Sequence, residues 1–179
     1  MIRKLLAASA LAALLPLATA HANETSLGKP IVKNGMIIDA VYLQPVSMSP
    51  VVPGLGSNPG DADVHLEADI HAGKNEPHGF QPGDWIPYLT VSYLLQKQHS
   101  EWQDFGTFMV MTANDGPHYG QNVKLDGPGK YTLTLKIEPP PYAAFFRHTS
   151  KETGVPPWWN PFEVSWTFVW AGNGKLGGY

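Results

Sequence analysis

Cysteine is absent from this 179-residue chain, which excludes disulfides and any metal site built on thiolate. A bound metal must therefore use His, Met, carboxylate or backbone oxygen. Charge is sparse too: twelve Lys and Arg against fifteen Asp and Glu leave a formal net charge of −3. Lys/Arg runs are too few to suit nucleic acid or an anionic membrane surface. No window repeats apolar residues at the helical spacing i, i+3, i+4, i+7. No Gly-x-Ser-x-Gly elbow marks a hydrolase nucleophile, and no glycine-rich phosphate loop opens a helix. Internal repeats and linker-like tracts are missing as well, apart from a Pro/Gly-rich loop from Pro50 to Gly60.

What is present begins with an export signal. Arg3 and Lys4 precede an apolar stretch from Leu5 to Leu17, and small residues then allow cleavage after Ala20 or Ala22. The stretch is too short for a stable membrane span, and no Cys follows it to carry a lipid anchor. Residues 1–22 are expected to be a signal peptide and residues 23–179 one domain, free in the periplasm. Loss of Arg3 and Lys4 takes the net charge from −3 to −5.

Alternation at a period of two dominates the remainder. Tyr131, Leu133, Leu135 and Ile137 oppose Thr132, Thr134 and Lys136; Val164, Trp166, Phe168 and Trp170 oppose Glu163, Ser165, Thr167 and Val169. Further β-prone runs cover 36–43, 65–71, 88–95 and 105–111, separated by turns at Lys33-Asn34-Gly35, Gln81-Pro82-Gly83-Asp84, Asn114-Asp115-Gly116-Pro117 and Asp126-Gly127-Pro128-Gly129. The expectation is an all-β, antiparallel sandwich of about seven strands. Residues 138–161, rich in Pro and aromatics, are expected to form a long ordered loop.

Residues 65–71 carry the chemistry. On a strand, His65, Glu67, Asp69 and His71 share one face, while Leu66, Ala68 and Ile70 share the other. Four metal-capable residues thus lie opposite a core stripe. A strand face alone cannot close one site, because His65 and His71 stand roughly 20 Å apart. Neighbours such as His65 and Glu67 can approach one ion or two neighbouring ions, with other ligands coming from elsewhere. Met111 ends a strand and His118 follows a tight Asp-Gly-Pro turn, so both can face one rim. Arg147-His148, followed by Glu152-Thr153-Gly154, is a third candidate. For each taken singly the ordinary reading is core filler for Met111 and a surface imidazole for His118 and His148. Taken together, imidazoles with a thioether and no thiolate suit copper, whereas Glu67 or Asp69 nearby suits a harder ion such as iron or manganese. Trp158, Trp159, Trp166 and Trp170 can also be read as a sugar platform, but alternation sends Trp166 and Trp170 to the core.

Five segments resemble one family: Ala40-Val-Tyr-Leu-Gln-Pro45, His65-Leu-Glu-Ala-Asp-Ile-His-Ala72, Trp85-Ile-Pro-Tyr-Leu-Thr90, Asp115-Gly-Pro-His-Tyr-Gly120, and Arg147-His148 with Glu152-Thr-Gly154. They are similar to the periplasmic iron-transport proteins, also called the thirty-four-kilodalton membrane antigen family, from about Asn23 to Phe168. The resemblance implies an immunoglobulin-like β-sandwich, a homodimer, copper binding, and work beside a high-affinity iron permease of the inner membrane. It places the copper ligands at His65, Met111, His118 and His148, with Glu67 linked to a second metal position. The chain departs from lipoprotein members in lacking an anchoring Cys, and its loop between Gln121 and Tyr131 is shorter. The expected function is a periplasmic metal-binding component of iron uptake that binds copper and presents iron, or oxidises Fe(II), for the permease. A periplasmic copper buffer or chaperone is the second reading.

Overall fold

A computed structural model describes residues 24–51, 58–141 and 144–172; the expected signal peptide lies outside them. Ten strands build two antiparallel sheets, and the described residues contain no α-helix. The larger sheet holds β1 (Thr25–Ser26), β2 (Ile31–Lys33), β3 (Met36–Leu43), β4 (Val64–Ala72), β7 (Met109–Thr112) and β8 (Pro117–Val123). Its order is β1-β3-β4-β8-β7, with β2 also paired to β3. The smaller sheet runs β10-β9-β5-β6, from β5 (Thr90–Lys97), β6 (Gln103–Thr107), β9 (Gly129–Glu138) and β10 (Phe162–Trp170). The all-β sandwich expected from alternation is what the chain adopts.

The period-two residues explain the packing. Leu66, Ala68 and Ile70 of β4 are fully buried, as are Tyr131, Leu133, Leu135 and Ile137 of β9, and Trp166 and Trp170 join the same core. Each large aliphatic side chain so buried contributes roughly 1.5–3 kcal/mol. That stripe fixes the register of β4, since a one-residue slip would drive His65, Glu67 and Asp69 into the core. The turn from β2 to β3 uses Asn34 and Gly35 at φ 50° and 81°, the left-handed pair that a two-residue hairpin needs. A side chain at position 35 would also come within 2.7 Å of the Glu76 Cα.

Three expectations change. The run 105–111 is two strands in different sheets, β6 pairing β5 and β7 pairing β8. Between them Phe108 turns into the core, its N–H donating to the Val91 carbonyl at 2.9 Å. The run 88–95 starts instead at Thr90, because Tyr88 sits at φ 63°, outside strand geometry. Finally, the division of 105–111 together with β8 and the short β1 and β2 brings the strands among the described residues to ten rather than about seven. In β8 the Asp-Gly-Pro turn and Gly120 mask the alternation.

Tyr119 of β8 ties the 85–89 segment to the larger sheet. Its hydroxyl donates to the Ile86 carbonyl at 2.7 Å and accepts from the Leu89 N–H at 3.0 Å, all buried. Tyr119→Phe leaves both backbone groups unsatisfied, and each is worth about 1–3 kcal/mol. The urea midpoint is expected to fall by the equivalent of roughly 2–6 kcal/mol at unchanged m-value. An unmoved midpoint would mean that neither bond matters to stability.

Candidate metal centre

The pairing of β4, β8 and β7 assembles the centre. Register sets His65 opposite Asn122, Glu67 opposite Gly120, and Met111 opposite His118. His65, Glu67 and His118 are all buried, at 0%, 5% and 5% exposure, although they lie on the sheet face away from the sandwich core. Their ligand atoms fall within 4.8 Å of one another. The Nε2 atoms of His65 and His118 each stand 3.4 Å from the same Glu67 oxygen, Oε1. Gly120 makes the room: a Cβ there would lie 2.9 Å from His65 Nε2 and 3.3 Å from His118 Cδ2. Met111 lines the same cavity as these three residues.

Hydrogen bonds behind the rings decide which nitrogen faces the centre. Asn122 Oδ1 accepts from the Val46 N–H at 3.1 Å, and Asn122 Nδ2 donates to the Val46 carbonyl at 2.8 Å. With the amide so oriented, Oδ1 is also the acceptor for His65 Nδ1 at 2.9 Å, so the His65 proton sits on Nδ1. The His118 ring bonds to the Gly116 backbone and its Nε2 has no hydrogen-bond partner, which again leaves Nδ1 as the donor. Both Nε2 atoms therefore present lone pairs toward a carboxylate oxygen. Such an arrangement is repulsive without a cation or a proton between the groups. Outer partners that hold the distal ring nitrogen are the usual support of a ligating imidazole. The spacing fits as well, since ligand atoms about 2.0–2.1 Å from one ion at tetrahedral angles lie about 3.4 Å apart. The donor set of two imidazoles, a thioether and a carboxylate suits copper.

Electrostatics favour a cation. Burial pushes the Glu67 carboxyl up to about 8, with Asp69, Glu24 and Asp115 adding to the rise. Burial likewise raises Asp69 to about 7, aided by Glu24, Asp39 and Asp115. Burial lowers His65 to about 4 against the opposing bond to Asn122, and it lowers His118 too. Neutral imidazoles beside carboxylates that resist ionising are groups waiting for positive charge. Glu24, Asp39, Asp69, His71 and Asp115 extend this into an acidic basin adjoining Glu67 and His118. The expected face of β4 is thus split: His65 and Glu67 converge on the cluster, while Asp69 and His71 line the basin.

His148 stands apart. It is exposed, its Nδ1 is bonded to Thr153 Oγ1 at 2.9 Å, and it is not among the converging groups of this chain. Its segment is closed by bonds from Arg147 to the Val155 carbonyl and from the Val155 N–H to the His148 carbonyl. The base of the segment is clamped by residues that sequence reading missed. Glu76 Oε1 holds His78 Nδ1 at 2.6 Å, while Oε2 accepts from the His78 N–H at 2.8 Å and the Phe80 N–H at 3.3 Å. The His78 ring stacks on Trp158 at 4.3 Å and meets Trp159 edge-on. Trp158 and Trp159 thus anchor the loop rather than forming an exposed platform. Glu76→Ala is expected to cost about 1–3 kcal/mol by orphaning buried donors and to speed hydrogen exchange across residues 147–155; equal exchange in the two proteins would dismiss the clamp.

Asn122, Gly120, Glu76 and His78 carried no sequence signal, because their roles exist only across strand pairs and loops. The cross-strand partner of a candidate ligand is legible only once the register is known.

Known proteins resemble this chain in both sequence and fold. A family model described as Fe2+ transport protein matches residues 21–172. A UPF0423 protein of Brucella abortus is 53% identical over 163 residues, covering 89% of this chain and 88% of that protein. The 34 kDa membrane antigen of Treponema pallidum is 41% identical over 140 residues, covering 75% of this chain and 68% of the antigen. Among solved structures, a copper-bound variant of FetP from uropathogenic Escherichia coli strain F11 is 50% identical with a TM-score of 0.79, covering 84% of this chain and 99% of that one. Copper-reconstituted P19 of Campylobacter jejuni is 45% identical with a TM-score of 0.80, covering 84% and 98%.

Proposed function

The chain belongs to the Fe2+ transport protein family, and from that premise we propose that it is a periplasmic metal-binding component of iron uptake. The observation that carries this reading is the pair of Nε2 lone pairs set 3.4 Å from one Glu67 oxygen. His65, His118 and Met111 hold copper in this reading, with Glu67 at the boundary between that site and the acidic basin. Copper-bound relatives at about half identity support the choice of metal. The exposed His148 is supplied by a second copy of the chain in a homodimer, and its clamped segment keeps the ring displayed for that role. Copper bound here supplies a one-electron couple, because imidazole accepts both oxidation states and thioether favours Cu(I).

The chain's own residues account for the rest of the proposal. Glu24, Asp39, Asp69 and Asp115 lower the cost of bringing Fe(II) or Fe(III) beside Glu67, and oxygen donors suit either iron ion better than thioether does. Iron is the cargo, handed to an inner-membrane permease. Metal analysis of protein isolated from its native periplasm, followed by anaerobic Fe(II) titration with and without copper, tests this. Copper co-purifying with the chain, and Fe(II) binding that Glu67→Gln weakens, are the expected results. Protein that carries neither metal and ignores Fe(II) would end the reading. If deletion of the gene leaves growth under iron limitation untouched but sensitises cells to copper, the copper-buffer reading replaces it.

A further inference from the structure

The cavity beside the imidazole cluster has a second sulfur-bearing residue in its wall. The space measures about 600 Å³ and is lined by Met111 from β7 and by Met48 from the strap that follows β3, together with His65, Glu67 and His118. Nothing in the sequence pattern of 44–51 marks Met48 as a ligand, since it stands in no alternating run.

The strap is docked through the centre's own scaffold. Val46, two residues before Met48, exchanges two hydrogen bonds with the Asn122 side chain, at 3.1 and 2.8 Å. The same Asn122 oxygen accepts the proton of His65 Nδ1 at 2.9 Å. One amide therefore fixes the ring of His65 and the backbone that carries Met48 against each other. Ser47 and Ser49 are exposed, while Met48 between them is half-buried against the cavity. An unbranched thioether with three rotatable bonds can adjust its sulfur position within such a space. It is also a soft donor, suited to Cu(I) and unsuited to the oxygen-seeking ions.

We propose that Met48 is a second thioether ligand of this cavity, recruited by a soft monovalent cation such as Cu(I). Cu(I) is then held by Met48 and Met111 with imidazole support, whereas Cu(II) relies on His65, His118 and Met111 without Met48. The proposal rests on the reading of the cavity as a copper site, and the two can fail separately.

Methionine ε-methyl NMR of the mature protein, with Ag(I) as a redox-inert stand-in for Cu(I), tests it. The methyl signals of Met48 and Met111 are expected to move on titration, with Met36, fully buried in the core, as the internal control. In anaerobic competition with bicinchoninate, Met48→Leu is expected to lower Cu(I) affinity roughly tenfold or more. Its Cu(II) affinity and metal-free melting temperature should stay at the parent values, because Leu and Met are close in volume. A Met111 signal that moves while Met48 stays still overturns the proposal and leaves the copper site standing. Silence from both methyls and from the imidazoles overturns both.

Discussion

Copper(II) affinity is expected to fall by well over 100-fold in His118→Ala, measured by competition with a chromophoric chelator. Loss of an outer hydrogen-bond partner alone typically costs 10–100-fold in metal affinity, so loss of a ligating ring must cost more. Asn122→Ala supplies the comparison, because it removes the acceptor that fixes the His65 tautomer and is expected to fall within that 10–100-fold range. The metal-free proteins should differ far less. His118 Nε2 is buried without a hydrogen-bond partner, so deleting the ring costs the metal-free protein packing but no hydrogen bond from that nitrogen. Little loss of melting temperature without metal, combined with a large loss of copper-induced stabilisation, is the signature expected of a ligand. A large loss of metal-free stability with copper affinity intact would make His118 structural and remove the basis of the site.

The metal-free protein is also expected to lose stability as pH rises from about 6.5 to 8. Glu67 goes from its ordinary 4.5 to about 8 on folding, and Asp69 from 3.8 to about 7. Between the unfolded and folded values the native state holds protons that the unfolded chain has released, so stability falls with rising pH. His65 acts the other way. Its value drops from 6.5 to about 4, so its contribution grows as pH rises across that interval and is complete above 6.5. Below 6.5 the two effects oppose one another, and above it only the carboxyls remain. The loss is on the order of a few kcal/mol by urea unfolding at successive pH values. Glu67→Gln, which stays neutral, should flatten most of the slope between pH 7 and 8. Bound copper should flatten it too, since a cation replaces the proton. A metal-free protein whose stability is level from pH 6.5 to 8 would mean that Glu67 is ionised in the native state.

How much of this was open to a reader of the sequence depends on whether a feature is local. The β4 pattern is local: alternation alone put Leu66, Ala68 and Ile70 in the core and His65 and Glu67 on a common face, because side-chain direction in a strand has a period of two. The same logic placed Trp166 and Trp170 correctly. It failed at 105–111, where one apolar run serves two sheets and Phe108 turns inward between them. It failed again at 117–123, where a strand opens on Pro117 and includes a glycine that exists to make space for two rings. His148 was a candidate among the residues, but only the resemblance implied a ligand role for it, because an exposed loop imidazole carries no signal of its own.

The chain by itself determined the class of fold, the absence of thiolate, and a ligand chemistry limited to imidazole, thioether, carboxylate and backbone oxygen; composition and period-two patterning suffice for these. Only the tertiary structure decided that His65, Glu67 and His118 converge, that Asn122 and Gly116 turn both Nε2 atoms inward, and that His148 stays outside the cluster of its own chain. Those are cross-strand and cross-loop relations. They depend on register and on distances of a few ångströms between residues some fifty positions apart, and a linear pattern encodes neither.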